Sequence, residues 1–255
     1  MNKTLTFLGT GTSQGVPVIS CNCEVCQSSD NFDFRLRSSV LITLGDKNIL
    51  IDSGPDFRLQ MLREKINQVD CVLYTHEHRD HVAGLDDLRS IYFSNRNAIP
   101  LYMHSRVKEA LKKDYSYLFS DKEYFGKPKF LINVIDNEMF QVFDFLIQPI
   151  EVMHYKLPVL GYKFSDLAYI TDANFISDKE KKKLHGIGTL IINCLQIDKH
   201  ISHFNLEECL ELIDLVKPKK TYLTHISHNL GLHKVIQKNL PKNVYLSYDG
   251  LKINF

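Results

Sequence analysis

Leu73 to Gly84 reads LYTHEHRDHVAG. Three histidines and an aspartate, His76, His78, Asp80 and His81, fall within six positions, directly after the apolar run CVLYT. An apolar run that ends in imidazoles and a carboxylate is a buried strand delivering polar groups to its end, where rigid scaffolds present functional side chains. His76 and His78 are two apart, so on an extended segment they share a direction. Asp80 and His81 are adjacent and are expected to diverge, which suits them to a neighbouring position. Such spacing can serve two metal ions about 3.5–4 Å apart. Imidazole with carboxylate suits Zn²⁺, Mn²⁺ or Fe²⁺.

The same arrangement recurs along the chain. His154 follows PIEVM, Asp172 follows LAYIT, and His225 follows KTYLT. Separate strands that each end in a metal-type ligand are not what a satisfied core histidine produces. Between such strands lie helical patterns: PDFRLQMLREKI, SRVKEALKKDYSYLF and NLEECLELIDLVKP, the last stopped by Pro218. Strands followed by helices indicate α/β layers with sheets inside and helices outside. No linker or low-complexity segment divides residues 1–255, which read as a single domain.

The chain has 255 residues, and no apolar stretch approaches the roughly 18 residues of a membrane span. MNKTLTFLGTGTS reads as a strand and a turn rather than a signal peptide, so a cytoplasmic location is expected. A net charge of +1 does not favour a long nucleic acid as partner, because gripping many phosphates calls for a marked positive bias. The basic run DKEKKKLH (178–185) is expected to be a solvated helix face. A homodimer is the default if the chain associates. The aromatic-rich segment 112–130 is expected to serve packing or a dimer contact. Arg35, Arg37 and Lys156 are candidate phosphate binders, each expected otherwise to be a solvated surface charge.

Cys21, Cys23 and Cys26 form a C-x-C-x2-C cluster in SCNCEVCQ, while Cys71, Cys194 and Cys209 sit in apolar surroundings as small core residues. Clustered thiols in a reducing compartment point to metal rather than disulfides. A closed zinc site needs four ligands, so one must come from elsewhere. THISHN supplies His225 and His228; if His225 serves the histidine-rich site, His228 is free to complete a Cys3His site.

THEHRDHVAGL, with His154, Asp172 and His225 following in order and Asp52 of LIDSG preceding, resembles the signature of the metallo-β-lactamase-fold hydrolases. The resemblance implies an αββα four-layer sandwich, with two central mixed sheets flanked by helices. It also implies that His76, His78 and His154 hold one divalent metal, that Asp80, His81 and His225 hold a second, and that Asp172 bridges them. The nucleophile would be a hydroxide between the ions, oriented by Asp80. GTGTSQGVPVISCNCEVC together with LTHISH further resembles the branch whose named member hydrolyses phosphoribosyl 1,2-cyclic phosphate in the carbon–phosphorus lyase pathway. That resemblance implies a structural zinc on Cys21, Cys23, Cys26 and His228. It also implies a general acid, His203, ahead of the late helix, titrating near neutrality. The expected activity is metal-dependent hydrolysis of a small phosphodiester, cyclic or linear. The alternatives are a nuclease like the tRNA 3′-processing endonucleases and a metal-binding module without catalysis.

Overall fold

The computed structural model describes residues 3–120 and 125–255. The first sheet has seven strands: β1 (Lys3–Gly9), β2 (Ser39–Leu44), β3 (Lys47–Ile51), β4 (Cys71–Leu73), β5 (Ile99–Met103), β6 (Phe130–Val134) and, returning from the end of the chain, Lys252–Asn254 beside β1. The second sheet has eight: β7 (Phe140–Val142), β8 (Phe145–His154), β9 (Leu157–Phe164), β10 (Leu167–Ile170), β11 (Phe175–Ile176), β12 (Thr189–Asn193), β13 (Lys220–Thr224) and β14 (Val244–Leu246), which leaves Lys252–Asn254 as β15. The helices are α1 (Phe57–Glu64), α2 (Arg79–Val82), α3 (Leu88–Asn95), α4 (Ser105–Asp114), α5 (Ser116–Phe119), α6 (Asp178–Leu184), α7 (Leu206–Val216) and α8 (His233–Asn239).

Alternation along the strands explains the layering. Phe7, Ile42, Ile51 and Leu73 face Tyr162, Tyr169 and Ile191 of the other sheet and form the central core. Their neighbours Leu8, Leu41, Leu50 and Val72 point the opposite way, onto Phe57 and Met61 of α1, Ile91 of α3 and Val107 of α4. On the far side, Ile170, Ile192 and Leu223 pack against Leu184, Cys209 and Leu212 of α6 and α7. Both sheets are therefore buried on both faces, which is why their strands read as continuous apolar runs. The result is the expected αββα sandwich. Cys71, Cys194 and Cys209 lie in these cores, as their surroundings in sequence suggested.

The topology sets the site. β3 and β4 pair in parallel, as do β10, β12 and β13, and β8 runs the same way as β10 with β9 antiparallel between them. The carboxyl ends of β3, β4, β8, β10 and β13 thus carry Asp52, His76, His154, Asp172 and His225. Asp52, Asp172 and His225 have φ of 62°, 54° and 55°, the left-handed turn that Asp and His tolerate better than most residues. Among the described residues, no helix is long and apolar enough to cross a membrane.

Several expectations are corrected. The β-rich run VYLSYDGLKINF (244–255) is not one strand: it splits into β14 and β15 in opposite sheets. The turn between them is held by the Asp249 carboxylate, which accepts from Thr10 N–H and O–H, from Leu36 N–H and from Arg63. The basic run forms α6, yet one face is not solvated: Glu180 is buried and pairs with Lys183 at 2.7 Å. In the aromatic-rich segment, Leu118 is buried against the first sheet's outer face and the Tyr115 hydroxyl donates to Ala83 O at 2.9 Å. Residues 121–124 lie outside the described residues.

Arg35 is not a surface charge. It is buried and donates to Thr10 Oγ1, Ser247 O and His233 Nδ1. Burial, reinforced by the Arg35 guanidinium, holds His233 down to about 4. Its folded pKa is below the unfolded value of about 6.5, so its contribution to stability is complete above that value and is lost as pH falls from about 6.5 through 4. Denaturant midpoints at pH 7 and pH 5 should therefore fall further apart in the native chain than in His233→Gln. Equal separation would show that His233 carries no such linkage.

Candidate metal centre

Asp52 is fully buried and accepts three hydrogen bonds, from Thr75 N–H, from Thr75 O–H and from His81 Nδ1 at 2.7 Å. Because the Thr75 hydroxyl gives its proton to Asp52, it accepts from His76 Nδ1 at 3.0 Å. His154 Nδ1 donates to Ser202 O at 2.8 Å. These partners fix one tautomer for three rings, with the proton on Nδ1 and the Nε2 lone pair turned inward. His76 Nε2 and His81 Nε2 are buried without a hydrogen-bond partner. A buried nitrogen left this way costs about 1–3 kcal/mol unless something occupies the position.

What surrounds those nitrogens is a donor set. His81 Nε2 stands 3.2 Å from Asp80 Oδ2 and 3.3 Å from Asp172 Oδ1. His225 Nδ1 stands 3.3 Å from Asp172 Oδ1, and His76 Nε2 is 3.9 Å from Asp172 Oδ2. Ligand atoms of Asp80, His81, Asp172 and His225 all lie within 4.8 Å of one another. On the other side of Asp172, the rings of His76, His78 and His154 have centroids 4.6–5.8 Å apart. Asp172 also groups with His154 and His203, their ligand atoms all within 4.8 Å of one another, so its carboxylate is common to both sets. The residues fit divalent cations by donor chemistry and by the unpartnered nitrogens.

The expected divergence of Asp80 and His81 is corrected. Both sit on the single turn α2, which brings their side chains to one point. Gly54 permits this: a Cβ there would stand 2.1 Å from Asp80 O, so only glycine lets the loop after β3 lie against α2. Asp52, at the end of β3, orients His81, a role that its place in the sequence does not reveal.

Electrostatics agree with the geometry. Burial opposes ionisation of Asp172, yet His225, His81 and His76 outweigh it and hold the carboxyl well below the usual range. Asp80 is likewise held down by His81 despite burial. Burial disfavours charge on His81, but Asp80, Asp172 and Asp52 together raise its pKa well above 6.5.

His203 is buried beside this group, its ring 4.5 Å from His154 and 4.9 Å from His225. Contrary to the expected near-neutral titration, burial pushes it down to about 3. His200 is exposed. Of the candidate phosphate binders, Arg37 is tied to Asp56 at 3.0 Å and to Ser13 O at 2.9 Å. Lys156 is exposed over the Tyr155 ring.

The structure brings Cys21, Cys23, Cys26 and His228 together. His228 Nδ1 lies 3.2 Å from Cys21 Sγ, 3.3 Å from Cys23 Sγ and 3.6 Å from Cys26 Sγ. Ligand atoms at zinc's usual bond lengths, tetrahedrally arranged, stand about 3.5 Å apart. A backbone N–H from Cys26, above all, brings Cys23 down to about 6, and burial raises Cys26 to about 11.

The model of the beta-lactamase superfamily domain matches residues 47–226. The chain is 38% identical to a crystallised diphosphatase from the PhnP family, with a TM-score of 0.94 over 100% of this chain and 98% of that one. It is 40% identical over 249 residues to an octanoyltransferase of Porphyromonas gingivalis, covering 96% of this chain and 50% of that protein. The chain thus spans about half the length of that curated relative. Human tRNase Z, short form, is 17% identical with a TM-score of 0.72 over 98% of each chain, which shows a shared fold.

Proposed function

Because the chain belongs to the beta-lactamase superfamily, we propose that it is a two-metal phosphodiesterase acting on a small phosphodiester, cyclic or linear. The observation that carries this reading is the set of inward Nε2 lone pairs on His76, His81 and His154, arranged around the Asp172 carboxylate. His76, His78 and His154 would hold one cation, and Asp80, His81 and His225 the other, with Asp172 available to both. When bound, divalent cations supply Lewis acidity, drawing charge from phosphoryl oxygens and making water acidic enough to attack near pH 7.

The side chains do the rest. Asp80, held ionised by His81, would accept a hydrogen bond from the attacking water and so aim it. His203 is the group placed to protonate the departing oxygen. Burial holds it neutral in the protein alone, so it would first take up the proton released by the attacking water, helped by the anionic phosphodiester beside it, and then pass that proton to the departing oxygen. Cys21, Cys23, Cys26 and His228 hold a structural zinc. A second substrate class, a diphosphate anhydride, is favoured by the similarity to the PhnP-family diphosphatase. A net charge of +1 speaks against tRNA.

Purified protein should carry about three metals per chain, from the two sites of the reading above, and should hydrolyse bis-p-nitrophenyl phosphate. Chelation and His76→Ala should each abolish turnover. Turnover that survives both would reject the assignment. Comparing cyclic phosphodiesters with diphosphates on the same preparation separates the two substrate classes.

A further inference from the structure

We propose that Arg106 is a positioning residue that sets the distance between the His76/His78 turn and His154, and so tunes the affinity of the first metal position. This rests on the two-metal reading above. Arg106 lies in the first turn of α4, a helix fixed by the buried Val107 and Leu111. Its Nε donates to Glu77 Oε1 at 2.6 Å, and its Nη2 donates to Pro158 O. Glu77 is the residue between His76 and His78. Pro158 is on β9, where it pairs with Met153, and the next pair in the register is His154 with Leu157. One guanidinium thus ties both chain segments that supply the first metal's three imidazoles to a third, rigid element.

The contact is more than an exposed ion pair. Glu77 and Arg106 side chains are 19% and 31% accessible, and Glu77 Oε2 is buried without a partner. The planar fork can reach a carboxylate and a carbonyl together, which a lysine ammonium on a flexible stem does not reproduce. The fold does not depend on this tie. β9 is also joined to the same strand end by Leu160 N–H to Thr75 O and by the Tyr162 hydroxyl to Tyr74 O. Asp80, His81 and His225 make no contact with Arg106, so the second position should not feel its loss.

The test is chelator competition with Co²⁺, read by the d–d absorption of each site, in the whole chain and in Arg106→Ala and Arg106→Lys. Loss of an outer partner of a metal ligand typically lowers affinity about 10–100-fold. That loss is expected at one position only in Arg106→Ala, with incomplete recovery in Arg106→Lys. Affinities of both positions unchanged within about twofold would overturn the proposal and leave Arg106 as structural. Should Arg106→Ala not fold, Arg106→Lys and Glu77→Gln carry the same comparison. If the native chain itself binds no Co²⁺ at these imidazoles, it is the two-metal reading that fails instead.

Discussion

Asp172→Ala is expected to remove phosphodiester hydrolysis almost completely while leaving the metal-free fold standing. The carboxylate faces both halves of the site, 3.3 Å from His81 Nε2 and His225 Nδ1 and 3.9 Å from His76 Nε2. Lewis-acid stabilisation of a phosphoryl transition state is worth several kcal/mol, and about 1.36 kcal/mol is tenfold in rate. Losing the shared ligand should therefore cost about a thousandfold or more in kcat. Stability should respond differently. Ionised Asp172 is desolvated as well as paired, and its removal leaves His81 still facing the carboxylates of Asp52 and Asp80, so no buried charge is stranded without a partner. The expected result is a melting temperature of the metal-free variant within a few degrees of the native one. A variant that keeps its metals and more than about a tenth of its activity would show that Asp172 is not the shared ligand.

How much of this was legible before the structure follows from where each signal resides. His76, His154, Asp172 and His225 could be picked out because each ends an apolar run, and burial on both faces makes such runs conspicuous. The fold followed from the same runs. The convergence of Asp80 with His81 was not legible. It depends on one helical turn, and on Gly54 approaching that turn from a strand distant in sequence. The left-handed turns at Asp52, Asp172 and His225 leave no mark, since Asp and His are compatible with many conformations. VYLSYDGLKINF looks like one strand because nothing local shows that Asp249 is claimed by Thr10, Leu36 and Arg63. Arg35 and Arg106 carry no local mark for the same reason: what distinguishes them from solvated surface charges is their acceptors, and those come from other segments.

The second large effect concerns the thiolates. Cys23→Ser should release one zinc per chain, lower the melting temperature by roughly 10 °C and reduce activity by about 10–100-fold. Serine stays protonated at neutral pH, whereas the Cys23 thiol is already brought down to about 6 by the Cys26 N–H, so the exchange removes an anionic ligand. Structural zinc in peptides is worth about 10–16 kcal/mol, but only a segment depends on it here. From Val16 to Cys26 the loop owns a small cluster, Val16, Val25 and Cys26 with Leu232 against it, while the main cores lie elsewhere. A local loss of about 3–4 kcal/mol, at roughly 2–4 °C per kcal/mol for a chain of this size, gives the stated shift. Activity follows because the segment leading into this loop, Thr10 to Thr12, braces His225. Ile226 N–H donates to Thr10 O, Thr12 N–H donates to Ile226 O, and Thr12 Oγ1 lies 3.4 Å from His225 Nε2. Freed from His228, the loop no longer fixes His225, and the loss expected is that of an outer partner of a metal ligand. Zinc content by mass spectrometry, calorimetric melting and turnover measured on one preparation decide it. A variant that gives up its zinc yet melts and turns over like the native chain would mean that the Cys3His group neither closes the loop nor supports His225.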